Sequence, residues 1–232
     1  MEEDTPISLR ERKYAQTKLA LLHAAVEKMR EKPLEAISVK ELCDTVPVSE
    51  MTFYNYFPKK TDLLKYFIQI TFIEMAWYLQ YAVKNKTNLE MVEELVDFLA
   101  RKVVGNSFIM TETLIHFGQE RKKPEFEQIS KAEQLLAFPD LPGIEEVHVK
   151  DTRLETMVEP YLRQAIEQGE LPKNLDLNTV VLMTVSNFIG LVINLHLTEP
   201  ELVRPLCRRQ LRLLWKALRA EAKEKYADTT TN

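Results

Sequence analysis

Glycine is scarce in this chain of 232 residues, which contains only five. That is well below the share of roughly 7% that is usual in proteins. Glycine most readily adopts the positive φ angles of tight turns and β-bulges, so a fold built from hairpins is disfavoured. Hydrophobic residues make up 45% and charged residues 28% of the chain, as in soluble globular proteins. The composition therefore predicts a mostly helical protein.

Cysteine and histidine are also scarce. Cys43 and Cys207 lie far apart in helix-forming surroundings, so we expect free buried thiols in a reducing cytosol. The four histidines form no His-x-x-x-His pair, and the chain has no Cys-x-x-Cys pair and no glycine-rich phosphate loop. Glu112, His116 and Glu120 share a helix face, but this spacing is more typical of a solvated face than of a metal site. Neither an enzyme nor a cofactor or metal site is predicted.

Signals for export and for a membrane anchor are weak. The N-terminal residues MEEDTPISLRERK are acidic where a secretion signal is basic, and no apolar stretch follows them. The 22 residues between Asp176 and Glu199 carry no formal charge, and a run of this length is long enough to span a bilayer. Polar residues interrupt this run, however, and its flanks are acidic instead of basic. We expect a cytoplasmic protein without a membrane partner, in which this helix is buried in a core or against a second subunit.

Apolar residues recur every three or four positions along most of the chain, which is the spacing of one helix face. In the segment 12–30 this stripe consists of Leu19, Leu22, Val26 and Met29. Further helices are predicted at about 61–81, 88–104, 107–119, 123–137, 150–168 and 177–197, with a last one from about 199. The predicted fold class is all-α.

Two short helices are predicted after the first one. Ser38 and Glu41 have the spacing of a capping box, in which each side chain accepts the backbone N–H of the other residue. Ser49 is placed to cap a third helix, which Pro58 helps to end. Phenylalanines at 53 and 57 are four positions apart, so they form one apolar face of that third helix.

The run VSEMTFYNYFPKK at 48–60, preceded by ISVKEL at 37–42, closely resembles the TetR-type family of bacterial transcriptional repressors. Two positions depart from the family pattern: Pro47 stands where the family usually has glycine in the turn, and Met51 stands where glycine is common in the third helix. Proline cannot supply the positive φ that glycine allows, so we expect a local difference in the turn. Met51 would change which bases are read.

The resemblance implies a domain organisation. Residues 1–60 would form a three-helix helix-turn-helix DNA-binding domain whose third helix enters the major groove. Residues 61–232 would form a larger helical domain for ligand binding and dimerisation. The charge distribution agrees with this division, because residues 10–60 have ten basic and seven acidic side chains, a balance of +3, while the rest of the chain sums to −7.

The function implied by the resemblance is that of a homodimeric regulator, a repressor released from its double-stranded DNA operator by an unknown small-molecule effector. One alternative is a non-catalytic helical protein that binds a small molecule and has lost DNA binding. A third reading, an all-α hydrolase or cofactor enzyme, has no nucleophile, base or metal set to support it.

The predicted DNA contacts come from the first residues of the second and third helices and the turn after them. Hydroxyl and ammonium groups suit phosphates, whereas amide and other side chains near the helix start lie closer to base edges. The predicted phosphate ligands are Thr52, Tyr54, Tyr56 and Lys60; the residues nearest base edges are Ser49, Glu50, Met51 and Asn55; Ser38 completes the set. The alternatives are that the tyrosines form a half-buried aromatic pair and that the lysines belong to a solvated turn.

An effector cavity is predicted in the C-terminal domain, lined by an aromatic stripe with one carboxylate, Glu74, that would favour a cationic hydrophobic ligand. The predicted lining is Phe67, Ile70, Glu74, Trp77, Tyr78, Met110, Phe117, Tyr161, Asn187 and Asn194. The alternative is that the aromatics are ordinary core, Glu74 is solvated and the asparagines form hydrogen bonds across the dimer.

The dimer is predicted to form through the last two helices, because the stretch from Leu177 to Leu197 has more apolar surface than one small domain can cover. Gly190 would allow close approach of two helices. The predicted interface consists of Val181, Val185, Phe188 and Val192 with Leu211, Leu214 and Leu218.

Overall fold

The computed structural model describes residues 7–119, 126–149, 151–195 and 199–229, without the side chains of 200 and 221–229. Within these ranges it contains ten α-helices and no strand, which confirms the all-α prediction. The helices are α1 (Leu9–Lys28), α2 (Val39–Thr45), α3 (Glu50–Tyr56), α4 (Asp62–Trp77), α5 (Asn88–Gly105), α6 (Ser107–Gln119), α7 (Lys131–Ala137), α8 (Leu154–Glu167), α9 (Leu177–Leu195) and α10 (Pro200–Thr229). Glu120, the start of the helix predicted at 123–137 and the end of that predicted at 177–197 lie outside the described residues.

The helix predicted at 123–137 is confirmed for residues 131–137 but was wrong for residues 126–130. Residues 126–130 are not helical, and α7 begins only at Lys131. The cause is local, because the Ser130 hydroxyl accepts the N–H of Glu133 while the Glu133 carboxylate accepts the N–H of Ser130. This capping box leaves Ser130 extended and starts a new helix there.

The chain divides into two compact units, one formed by Met1–Trp77 with Phe108–Val149 and the other by Tyr78–Ser107 with Lys150–Asn232. Helices α1 to α4, α6 and α7 belong to the first unit, and α5 and α8 to α10 to the second. The predicted boundary after residue 60 separates a DNA-binding domain from a ligand-binding and dimerisation domain, and it stays a prediction. The division by packing differs because α4 and α7 pack against α1.

Helices α1, α2 and α3, which we call the head, share the core of the first unit. Leu19, Leu22 and Met29 of the predicted stripe are buried, and Val26 is half-buried. Helix α1 packs against α2, α4 and α7. The head is therefore packed together with helices that follow it in the chain.

Glu112 of α6 has a structural partner in the first unit. Both of its carboxylate oxygens accept the backbone N–H of Leu34, at 3.0 and 3.1 Å, at the start of the 3₁₀ turn Leu34–Ala36. Burial raises the pKa of Glu112, although the hydrogen bond from Leu34 opposes that shift. Among the residues that the structure describes, no three His, Cys, Asp or Glu side chains are grouped as metal ligands.

In the second unit α5 packs against α8 and α10, and α9 packs against α8 and α10. Asp97 of α5 is buried, and its Oδ1 lies 2.8 Å from Arg204 Nε and 2.7 Å from Arg208 Nε, both on α10. Burial alone would raise the pKa of Asp97, but the arginines hold it below its ordinary value. Gly169 ends α8 with a φ of +79°, as predicted.

Helix α9 has one buried and one exposed apolar face. The predicted interface residues Val181, Val185, Phe188 and Val192, with Leu211, Leu214 and Leu218 of α10, are already buried within a single chain, so this part of the dimer prediction was wrong. They pack between the helices of the second unit because α9 buries its inner face against α8 and α10. The exposed apolar side chains of α9 are instead Leu182, Met183 and Ile193. By length and hydropathy α9 could cross a membrane, a weak indication because core helices of soluble proteins meet the same criterion.

Candidate nucleic-acid interface

Helices α2 and α3 contain only seven residues each, which is too short to be stable without caps and packing. The predicted capping box at the start of α2 is present: Ser38 Oγ accepts the N–H of Glu41 at 3.1 Å, and Glu41 Oε2 accepts the N–H of Ser38 at 2.7 Å. Lys32 Nζ also binds the Glu41 carboxylate. These contacts satisfy backbone groups that the short helix leaves unpaired.

Ser49 caps α3 as predicted. Its Oγ accepts the N–H of Thr52 at 3.1 Å and lies 2.8 Å from the Thr52 hydroxyl. The turn before it, at Val46 and Pro47, has no residue with positive φ; among the described non-glycine residues only Asn85 has one. Proline therefore fits this turn, because the backbone does not require the conformation that glycine supplies.

One face of α3 is buried and determines which side chains point outward. Phe53 is fully buried and Phe57, which follows the helix, is 2% exposed; their ring centroids are 5.7 Å apart. The other residues of α3 differ in exposure: Glu50, Met51, Tyr54 and Asn55 are exposed, and Thr52 and Tyr56 are half-buried. Met51, at 77%, and Tyr54, at 47%, present large apolar surfaces to solvent.

The two tyrosines of α3 have different surroundings. Tyr56 packs against Tyr14 of α1, with ring centroids 4.6 Å apart, whereas Tyr54 lies edge-on to Phe53 at 5.4 Å. Tyr14 was missed in the sequence analysis, because a single tyrosine on a polar stretch of α1 gives no signal of its own. Tyr56 is thus held by the first helix, and Tyr54 projects freely from α3.

The ammonium of Lys60 binds backbone carbonyl oxygens inside the first unit. Its Nζ donates hydrogen bonds to the carbonyl oxygens of Glu35 and Ile37, at 3.0 and 2.7 Å. Lys59 is exposed, and its backbone N–H donates to Asp62 at 2.8 Å. The ammonium of Lys60 has one proton left for a phosphate, so its predicted role as a phosphate ligand stays a prediction.

The predicted effector-binding residues divide between the two units. Phe67, Ile70, Glu74, Trp77, Met110 and Phe117 lie in the first unit, and Tyr78, Tyr161, Asn187 and Asn194 in the second. Several already have partners within their unit. Trp77 Nε1 donates to the carbonyl of Pro142 at 2.8 Å, and Asn194 Nδ2 donates to that of Gly190 at 2.6 Å.

Tyr78 and Tyr161 are the two predicted effector-binding tyrosines, and both lie in the second unit. The Tyr78 hydroxyl donates to Glu94 at 3.0 Å, and its ring packs against Phe98 at 5.4 Å between centroids. Burial raises the pKa of Tyr161, so its phenol stays protonated and can donate a hydrogen bond at neutral pH. The effector-binding role of the whole set stays a prediction.

Residues 21–67 match the family model described as bacterial regulatory proteins, tetR family. The head is of the TetR type. The match runs from α1 into α4, so it includes both short helices and the turn between them. It confirms the resemblance drawn from the run at 48–60. No curated protein matches the chain.

Solved TetR-family structures have a similar fold over most of this chain. FadR of Thermus thermophilus, a TetR-family repressor in complex with lauroyl-CoA, is 17% identical with a TM-score of 0.59, over 85% of this chain and 92% of that one. FadR of Bacillus halodurans, a fatty acid degradation regulator, is 16% identical with a TM-score of 0.58, over 88% and 96%. RolR in complex with resorcinol is 19% identical with a TM-score of 0.54, over 87% and 88%. At these identities the likeness concerns the fold alone.

The capping contacts of α2 predict how the TetR-type head responds to acid. The hydrogen bond from Lys32 and then those from Ser38 lower the pKa of Glu41 from 4.5 to about 2. A carboxyl whose pKa is lower in the folded state stabilises that state above its unfolded pKa. The contribution of Glu41 is therefore present at neutral pH and is lost as the pH falls from about 4.5 to about 2. An NMR titration of the Glu41 carboxyl carbon measures this pKa.

The matched control removes the hydrogen bond from Lys32, the largest cause of the lowered pKa of Glu41. In Lys32→Met the Glu41 pKa is expected to rise toward 4.5, while the Ser38 contacts keep it below that value. A native midpoint already near 4.5 contradicts the capping account of α2.

Proposed function

We propose that this protein is a ligand-responsive, DNA-binding transcriptional regulator. The observation that carries this proposal is the arrangement of α3, whose Phe53 and Phe57 face is buried while Met51, Tyr54 and Asn55 project into solvent. Exposed apolar and amide side chains on a short helix after a tight turn are suited to contact base edges in a major groove. Repression, as opposed to activation, rests on the resemblance to the family.

Charge supports the same assignment. The segment 10–60 carries a net charge of +3 within a chain of net charge −4, so this segment attracts a polyanion that the rest of the chain repels. We place this protein in the cytoplasm, where a DNA-binding regulator acts. The alternative, a helical ligand-binding protein without DNA function, is separated from it by selecting duplexes from a randomised pool at one moderate salt concentration. Failure to enrich any sequence favours the alternative.

Asn55 is predicted to read one base. A side-chain amide pairs with adenine through two hydrogen bonds, worth about 1–3 kcal/mol of discrimination. Asn55→Ala should therefore abolish the preference at one position of the selected duplex and leave the other positions unchanged. Binding to duplexes that differ at single positions, at one salt concentration, measures this.

Lys60→Ala is the comparison in the same assay. Loss of a phosphate contact weakens binding to all sequences alike and lowers the salt slope by about one unit. Lys59→Ala removes the same charge one residue away, from a side chain that binds no carbonyl oxygen in the described part of the chain. Equal base preferences in Asn55→Ala and the unmodified protein would remove Asn55 from the predicted base-reading set.

We further propose that the protein acts as a homodimer through α9 and α10. Leu182, Met183 and Ile193 of α9 and Leu213 of α10 are exposed apolar side chains on neighbouring helices of one unit. A Cβ added at Gly190 would meet no atom of the described residues within 4 Å outside the local backbone of its own helix, so a second helix has room to approach there. Burial of such side chains against their copies by two-fold symmetry would give a self-complementary interface.

The dimer predicts a mass of twice 27.1 kDa by light scattering at micromolar concentration. Leu182→Glu should give the monomer mass, because it places two carboxylates in an apolar interface. Leu9→Glu is the matched control, since Leu9 on α1 is 69% exposed and lies outside this surface. A monomeric unmodified protein would rule out this interface.

The effector proposed from the sequence is a cationic hydrophobic compound that contacts Glu74 and the aromatic side chains of the predicted lining that belong to the same unit, Phe67, Trp77 and Phe117. A carboxylate near aromatic rings attracts a cation by charge and by cation–π interaction. Glu74→Gln should therefore weaken the binding of cationic compounds roughly tenfold. Calorimetry with matched cationic and neutral compounds measures this, and the neutral compounds should bind both proteins equally. Equal cation affinity in both proteins removes Glu74 from the site.

A further inference from the structure

Lys18 of α1 is a buried lysine within the first unit. Only 6% of its side chain is exposed, and its Nζ lies 4.5 Å from the ring centroid of Tyr66. The rings of Tyr14 and Phe57 lie 5.8 and 5.9 Å from the same nitrogen. An ammonium so enclosed is unfavourable unless a carboxylate compensates its charge.

The compensating carboxylates come from the segment 126–137, in which the largely exposed Glu127 places Oε2 3.9 Å from Lys18 Nζ and the buried Glu133 lies closer. Glu133, whose side chain is 3% exposed, places Oε1 3.1 Å from Lys18 Nζ. Its other oxygen accepts the N–H and the hydroxyl of Ser130, at 2.8 and 2.7 Å. Burial would raise the pKa of Glu133, but Lys18 and Ser130 hold it below its ordinary value. Glu133 thus joins the start of α7 to α1.

The same cluster reaches the third helix through two aromatic contacts. Tyr14, one turn before Lys18, packs against Tyr56 of α3 with ring centroids 4.6 Å apart and ring planes tilted by 45°, and Phe57 directly follows α3. Burial and then the charges of Glu133 and Glu127 raise the pKa of Tyr14. Removal of Glu133 would therefore disturb Lys18, and with it the side chains that support Tyr56.

We propose that Glu133 is a positioning residue for DNA binding: through the Lys18 ammonium it holds Tyr14 against Tyr56, so that docking of the segment 126–137 on α1 controls the affinity of α3 for DNA. This inference rests on the proposed function. A change that moves the segment 126–137 away from α1 therefore weakens the binding of DNA by the head. The Lys18 charge couples the docking of this segment to the support of Tyr56, because an enclosed ammonium without its buried carboxylate is strongly unfavourable.

The test measures affinity for the duplex that the unmodified protein selects from a randomised pool, together with urea unfolding of each variant. Glu133→Gln keeps an acceptor for Ser130 and removes the charge, and it should lower affinity roughly 5- to 30-fold. In the Tyr14→Leu background the same change should lower it less than twofold, because its route to Tyr56 is already lost. A purely stabilising role for Glu133 would shift the unfolding midpoint and leave the two affinity effects additive.

Two further variants complete the design. Glu90→Gln removes the equivalent carboxylate from the Thr87 capping box of α5 in the second unit, and it should leave DNA affinity unchanged within about twofold. Lys18→Met combined with Glu133→Leu removes both buried charges and leaves neither unpaired. This double variant should therefore fold even if Glu133→Gln does not, and its affinity for DNA should fall to a similar degree.

The outcomes separate this inference from the function on which it rests. An unmodified protein that selects no duplex contradicts the proposed function. If the unmodified protein selects a duplex, two results overturn the role of Glu133 and leave the proposed function intact. One is that Glu133→Gln or the double variant binds this duplex as tightly as the unmodified protein. The other is that the effects of Glu133→Gln and Tyr14→Leu on affinity are additive.

Discussion

The head depends on the burial of one face of α3. Seven residues cannot hold a helix by backbone hydrogen bonds alone, so α2 and α3 exist because Ser38 and Ser49 cap them and because Phe53 and Phe57 enter a shared core. The same burial decides the direction of every other side chain on α3. Met51, Tyr54 and Asn55 are exposed as a consequence, and the resulting surface is the basis of the proposed function.

Among the residues that the structure describes, few charged side chains are buried, and each joins elements that are distant in the chain. Asp97 joins α5 to Arg204 and Arg208 of α10, and Glu133 joins α7 to Lys18 of α1. Buried ion pairs contribute little net stability, since desolvation offsets much of the attraction. They impose specificity instead, because a buried Asp97, Glu133 or Lys18 without its partner would be strongly unfavourable. In the first unit the role proposed for Glu133 would extend this requirement to the contact between Tyr14 of α1 and Tyr56 of α3.

Predictions from the sequence succeeded where a local rule was sufficient. The capping box of Ser38 and Glu41, the cap by Ser49 and the stop at Gly169 involve residues within a few positions of each other. They failed where a local rule was overlooked or where distant packing decided. The capping box at Ser130 was overlooked, so α7 was predicted too long. Val181 and Leu211 were predicted at a dimer interface, but α9 and α10 bury them within one chain.

The sequence by itself determined the all-α class, the positions of the caps and the resemblance of the run at 48–60 to the TetR family. These follow from periodicity, spacing and residue type, which act over one or two helical turns. Only the tertiary structure decided that Lys60 binds the carbonyls of Glu35 and Ile37 and that Lys18 pairs with Glu133. An apolar or charged side chain has many chemically equivalent partners in a chain, and the choice among them is made by how whole helices pack.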